Sequence, residues 1–320
     1  VPSDIDPTVW LTAPLAPEAI GPSKHDPSAW HYTNAVGING IVSTGLLWAC
    51  STDGLNDSQE VQFGIGAFRR LWELVKPALI DEAPVAAVEE WLADIERRAA
   101  AREVLVVCAS ENGDSLLHWQ TYARINDGYA IELSPTVEYK VFASEGQPAL
   151  FQPDDVPAIF WRSVTYGDKD PEWGWEQWDP TRRMLEGALD AFGSLERGQI
   201  ANEGFMRDLL DRQYVALVYA YKHEGFADER EKRLIVVRPP IDGFTADRDS
   251  HYGPSHKVFL AAVDEPDPER YTVDRIARLP ILSVQLAPRN PEGDEERLRD
   301  LLDAAGYSGV PITRSRTPIR

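Results

Sequence analysis

Residues 29–60 read AWHYTNAVGINGIVSTGLLWACSTDGLNDSQE, and the rest of the chain is arranged around them. Ala29 to Thr33 suits a short strand. Thr33 or Asn34 can cap a helix, because a short side-chain oxygen accepts a free N–H of the first turn. Val36, Ile38, Ile41 and Val42 give that helix an apolar face, and Gly45 stops it in the left-handed region. Leu46 to Cys50 reads as a buried strand, followed by a turn at Asp53-Gly54 and a helix start at Asn56-Asp57-Ser58. His31 and Thr33 therefore fall at a strand end beside a helix start, where free N–H donors meet polar ligands. An ordinary hydrogen-bonded histidine fits the same spacing, and both readings stay open here.

Composition narrows the classes. The chain has 320 residues, 43% of them hydrophobic and ten of them tryptophan, enough for a large folded core. No apolar run reaches membrane-spanning length and no signal-peptide pattern opens the sequence, so no membrane is expected as a partner. The two cysteines, Cys50 and Cys108, lie in apolar strand-like runs and argue for the cytoplasm and against a disulfide framework. A formal charge of −20 opposes tight binding of bulk nucleic acid unless positive charge is gathered locally. Solubility explains that charge equally well.

Residues 1–28 read as an irregular, proline-rich arm anchored by Trp10-Leu11, and 29–320 as a single domain with helical insertions. Val61, Ile65, Phe68, Trp72 and Val75 recur at helical spacing up to Pro77, and Pro84 opens a second helix through Val88, Trp91, Leu92 and Ile95. Val104 to Ala109 predicts a central strand and Leu116 to Tyr122 a helix. Tyr129 to Leu133 is a strand with which Tyr139 to Phe142 can pair, and Ile159 to Tyr166 is a further one. Gly167 to Pro180 reads as a loop whose Trp173, Trp175 and Trp178 either form a lid or partner site or fold back on the core. A helix is expected from about Gln199 to Lys222, strands at Val258 to Val263 and Ile281 to Leu286, and a helix at Glu295 to Ala305.

The charged run Lys222 to Arg233 enters the apolar Leu234 to Val237. If Glu229 to Val237 is one strand, alternation puts Glu229, Glu231 and Arg233 on one face. Buried carboxylates beside a guanidinium are costly unless paired or used, so either a structural network or a site is implied. Phosphate-loop, dinucleotide, metal-binding His-Glu-x-x-His or Cys-x-x-Cys, and serine-nucleophile patterns are missing from the sequence; His251 and His256 merely share a loop. No metal is therefore expected.

Several of these residues carry a resemblance. His31-Tyr32-Thr33, Leu47-Trp48-Ala49, Leu55-Asn56-Asp57 with Glu60, Ser110-Glu111 ahead of Leu116-Leu117, Trp119 and Tyr122, Gly128-Tyr129, the Lys222 to Arg233 segment and Ser315 to Arg320 are similar to the bacterial domain-of-unknown-function family twenty-nine seventy-one. More distantly, His31-Tyr32-Thr33 with Ile38, Ile41 and Gly45-Leu46 resembles the opening of ADP-ribosyltransferases of the diphtheria-toxin and poly-ADP-ribose-polymerase type, and Glu229-Arg230-Glu231 resembles the Glu-x-Glu strand of the arginine-modifying toxins. Tyr32 stands where that family has glycine.

The resemblance implies an α+β fold with an ADP-ribosyltransferase-like split, mostly antiparallel sheet carrying inserted helices. It implies NAD as cofactor, with His31 on the adenosine ribose, the backbone of Tyr32 on the nicotinamide amide, and Thr33 beside them. Tyr122 or Tyr129 would stack on nicotinamide, Arg233 would meet a phosphate or pair with Glu231, and Glu231, ahead of Glu229, would be the catalytic carboxylate. The activity implied is ADP-ribosyl transfer to an unidentified macromolecular acceptor, as in toxins or phage defence. Two rivals remain: a non-catalytic binding module on the same fold, and a nucleotide or glycosidic-bond hydrolase using Glu60, Glu229 and Glu231.

Overall fold

The computed structural model describes residues 28–52, 60–78, 82–99, 104–142, 157–167, 175–237, 244–250, 253–264, 272–273 and 275–318. The arm expected over 1–28 lies outside them but for Ser28, as do Asp53-Gly54, Asn56-Asp57-Ser58, Trp173 and His251. The chain divides into two compact units: a helical one holding Asn56–Glu103 and Val164–Phe226, and a sheet unit holding Pro22–Leu55, Val104–Ser163 and Ala227–Arg320.

The helical unit is built from helices Glu60–Val75, Glu82–Ala99, Trp175–Glu196 and Glu203–Val218. Phe68, Trp72, Val88, Trp91, Leu92 and Ile95 are buried, as their spacing predicts, and Leu71 is buried beside them. The indole of Trp91 donates to Asp211 Oδ1 at 2.9 Å, which satisfies both buried polar groups. Gly64 is where two segments close on each other: a Cβ there would stand 2.2 Å from the Val218 carbonyl oxygen. The stretch read as a loop to Pro180 turns helical at Trp175; Met184, Leu185, Ala188 and Phe192 supply the apolar stripe that holds it. The last helix starts later than expected because Asn202 caps it, its Oδ1 accepting from Phe205 N at 3.0 Å. That helix ends at Val218, and Tyr221–Lys222 pairs in parallel with Thr165–Tyr166.

In the sheet unit the strands are β1 Ala29–Asn34, β2 Leu46–Ser51, β3 Val104–Ser110, β4 Gly128–Leu133, β5 Tyr139–Phe142, β6 Ala158–Ser163, β7 Glu231–Val237, β8 Ala246–Ser250, β9 Gly253–Ala262, β10 Thr272–Val273, β11 Ile281–Leu286 and β12 Ile312–Arg314. They form one mixed α/β unit around a large, mostly antiparallel sheet; among the described residues only β5 with β10 and β11 with β12 run parallel in it. The helix Ala35–Thr44 follows β1 as expected, with Asn34 as its cap and Gly45 left-handed at φ 67°. Tyr139 to Phe142 does not pair with β4. Both edges of β4 are taken, by β1 and β11, so β5 joins β9.

The sheet forks at β3. One edge of β3 pairs with β7 along its whole length, from Val104↔Val237 to Ser110↔Glu231. The other edge is shared: β2 pairs at Leu105 and Val106, while β1 meets β3 only where Trp30 faces Ser110. From that point β1, β4, β11 and β12 diverge from β2 and β9. Leu105, Val107, Ala109, Leu234, Val236, Ile131 and Leu133 fill the core on one face, together with Ile38 and Val42 of the helix.

Candidate functional site

The fork has a definite polarity. Ser134 N donates to Pro280 O at 3.0 Å and Ala287 N to Gly128 O at 2.9 Å, so the even-numbered residues of β4 turn their backbone groups to the β11 side. Its odd-numbered residues face β1. His31 and Thr33, opposite Ile131 and Tyr129, therefore exchange backbone bonds with β4. The N–H and C=O of Tyr32 point the other way, to an edge on which no described strand pairs with it beyond Trp30.

On β3, Glu111 N donates to Arg230 O at 2.9 Å, which directs the odd-numbered residues to β7. The carbonyl of Cys108 accordingly opens into the fork, and His31 Nδ1 donates to it at 2.8 Å. A carbonyl only accepts, so that nitrogen carries the proton. Burial lowers the pKa of His31, partly opposed by the Cys108 bond, and the ring is neutral near pH 7. Its Nε2 then presents a lone pair with no partner among the described residues. Thr33 is differently placed: a Cβ on Gly37 would lie 1.9 Å from its Oγ1, so its hydroxyl is packed beneath the helix start.

Tyr32 turns its ring away from that edge. The ring stacks on His118 at 4.7 Å and meets Trp119 edge-on at 4.8 Å. Its hydroxyl donates to Asn112 O at 2.7 Å and accepts from Ser115 N at 3.1 Å, fixing the turn after β3. That turn is further held by Asp114, which accepts from Trp119 Nε1 (3.0 Å), Arg316 N (2.9 Å), Thr317 Oγ1 (2.8 Å) and Ser315 Oγ.

The two glutamates are not on one strand. Glu224–Glu229 is a 3₁₀ helix, and β7 begins only at Glu231. Arg230 between them has φ 45°, which breaks the alternation expected from Glu229 onward. Ser110 Oγ donates to Glu229 O at 2.8 Å, so the end of β3 clamps this corner. Glu229 is buried and its Oε1 accepts from the Tyr122 hydroxyl at 2.9 Å. Tyr122 lies on the π-helical turn Trp119–Ala123, packs on His118 and leaves 43% of its surface exposed. Glu231 forms a buried two-pronged pair with Arg233, Nε to Oε1 and Nη2 to Oε2 each at 2.8 Å. That geometry keeps the carboxylate ionised and oriented.

The structure thus brings Tyr122 to Glu229 and Arg233 to Glu231, and sets His31 across β3 from both pairs. Ladder alternation places Glu231 and Ser110 on the face of Trp30 and Tyr32, with His31 on the other face. A group lying along the Tyr32 edge would meet His31 from one side and the Glu231 face from the other. Glu60, by contrast, is in the helical unit, buried with Lys222 at 3.2 Å. Tyr129 donates to Asp294 at 3.4 Å and is buried. Sequence reasoning missed Ser110 as a clamp and Asp114 as an anchor; the one usable signal was the Ser-Glu-Asn-Gly-Asp run itself. Among the described residues no group of three His, Cys, Asp or Glu gathers as a metal site, and no helix is long and apolar enough to cross a membrane. Set against known proteins, the chain matches no family model, no curated protein and no solved structure.

Proposed function

We propose that the protein is an NAD-dependent ADP-ribosyltransferase, with the fork of the sheet as its NAD site. One observation carries the reading: the backbone N–H and C=O of Tyr32 face an edge where no described strand pairs with them, beside the His31 bond to the Cys108 carbonyl. A carboxamide offers one acceptor and one donor, the complement a strand edge seeks. Nicotinamide seated there would be held as a neighbouring strand is. Because side chains stand perpendicular to the sheet, a tyrosine in place of glycine leaves that in-plane approach open.

NAD supplies the ADP-ribosyl group and nicotinamide as the leaving group. Departure of nicotinamide builds oxocarbenium character at the ribose, and Glu231, ionised and fixed by Arg233, stabilises such charge. His31 Nε2 accepts from a ribose hydroxyl. The half-exposed ring of Tyr122 offers a stacking face, and Glu229 orients it through its hydroxyl. The ADP-ribosyltransferase-like split of the sheet, a bacterial toxin or phage-defence role, a cytoplasmic setting and a macromolecular acceptor belong to the same proposal. Membership of the domain-of-unknown-function family rests on the sequence resemblance alone.

A second reading, a non-catalytic binding module, is favoured by one fact: both oxygens of Glu231 are already engaged by Arg233. Incubation with NAD labelled in the adenosine half separates the readings. Nicotinamide release with label transferred to macromolecule is the expected result. Release without transfer would indicate a hydrolase, and NAD binding without release the binding module. Calorimetry on His31→Ala tests the site itself, since unchanged NAD affinity would remove His31 from it.

A further inference from the structure

Arg162 stands on β6 directly opposite Arg233 of β7, on the face of the sheet that carries Glu231. Its side chain is buried, 8% exposed, at the end of the apolar run Ala158-Ile159-Phe160-Trp161. Its Nε is sealed from solvent without a hydrogen-bond partner. No carboxylate pairs with it among the described residues; its guanidinium carbon lies 4.9 Å from the centroid of the Phe160 ring. Arg233, the neighbouring guanidinium, meets the same burial with a two-pronged carboxylate.

A buried guanidinium loses several kcal/mol of hydration, which a ring face recovers only in small part. Burial alone pushes Arg162 down to about 9, with no carboxylate opposing the shift. Among the described residues nothing else offsets that cost, and a bound anion would. With Nε sealed, the Nη edge is what an anion can reach, and that edge makes paired bonds to an oxyanion. A phosphate, with a charge of about −1.5 to −2 at pH 7 and three acceptor oxygens, offsets the burial better than a carboxylate.

We propose that Arg162 is an anion-binding residue that takes the phosphate group of a small ligand on the β6 side of Glu231. Two strands, β7 and β3, stand between it and β1, so the site is separate from the one proposed for nicotinamide and does not depend on the reaction that Glu231 serves.

The full chain is titrated by calorimetry and thermal shift with inorganic phosphate, pyrophosphate and AMP, and with acetate as a carboxylate control. Binding of at least one phosphate, with a rise in Tm, is expected. A preference for AMP assigns the phosphate to a nucleotide, and equal or better binding of inorganic phosphate assigns it to a simple phosphate. Arg162→Met should abolish the shift while its own Tm equals or exceeds that of the native chain, since an unpaired buried charge has been removed. Arg162→Lys, which keeps the charge and loses the fork, should bind about tenfold more weakly. The proposal is overturned if the native chain binds none of the phosphates, if acetate binds as tightly, if either variant binds phosphate unchanged, or if Arg162→Met without ligand melts well below the native chain.

Discussion

His31 Nδ1 and the carbonyl oxygen of Cys108 are 2.8 Å apart across the gap where β1 leaves β3. The bond requires a protonated Nδ1, while burial opposes a second proton on the ring and lowers the pKa below its ordinary 6.5. The folded state therefore favours the neutral ring. Between the lowered pKa and 6.5 the unfolded chain binds more protons, so stability is full above 6.5 and falls as the pH drops through the folded value. Melting followed from pH 8 down to pH 5 (a span of about 3 units around the ordinary histidine value) should show this loss. His31→Gln, which has no titrating ring, should show a shallower one; identical slopes would remove His31 as the source.

Glu231→Gln addresses structure and chemistry together. Arg233 is 1% exposed, so removing its counter-charge should destabilise the chain by roughly 3–5 kcal/mol. Adding Arg233→Met should return much of that stability, because the buried charge is gone. If Glu231 also acts on the ribose, the stabilised double variant remains inactive by orders of magnitude. Denaturant melts and nicotinamide release on all three proteins give the answer. An active double variant would remove Glu231 from the chemistry, and an inactive but stable Glu229→Gln would move the role there.

Asp114 ties the chain's last described residues to the turn after β3. Burial would raise its carboxyl, but bonds from Ser315, Trp119, the Arg316 amide and Thr317 outweigh this and hold it below its ordinary 3.8. Its contribution is present above that value and is lost as pH falls through the lower folded one. Asp114→Ala should cost about 1–3 kcal/mol by leaving donors unpaired. Trypsin should also cut after Arg314 and Arg316 faster in the variant than in the native chain. Equal cleavage rates would show that the tail is held by other contacts.

What could be read from residues alone was local. Asn34 and Gly45 bracket one helix, and the continuous run Val104 to Ala109 declares a central strand, because caps and apolar runs act over a few residues. The fork was illegible for the opposite reason: pairing of Trp30 with Ser110, and of Cys50 with Val106, joins residues far apart in sequence. The residues His31, Tyr122, Glu229, Glu231 and Arg233 were named from the chain, yet the Tyr122–Glu229 bond spans 107 positions and has no sequence signature. The positive φ of Arg230 was hidden because no glycine announces it. Arg162 was hidden because one charge inside an apolar run reads as a strand edge.

The left-handed turn at Arg230 has a consequence for how this chain tolerates insertion and deletion. The position of Glu231 is fixed by its pairing with Ser110, whereas Glu229 belongs to the 3₁₀ segment that precedes the turn. An unbroken strand would carry a one-residue change of length upstream into β7 and exchange its two faces. With Arg230 acting as a joint, a gain or loss of residues between His223 and Asp228 leaves Glu231 and Arg233 in register. One carboxylate is held by the strand ladder, and the other by the bonds that Ser110 and Tyr122 make to Glu229 on the far side of the joint.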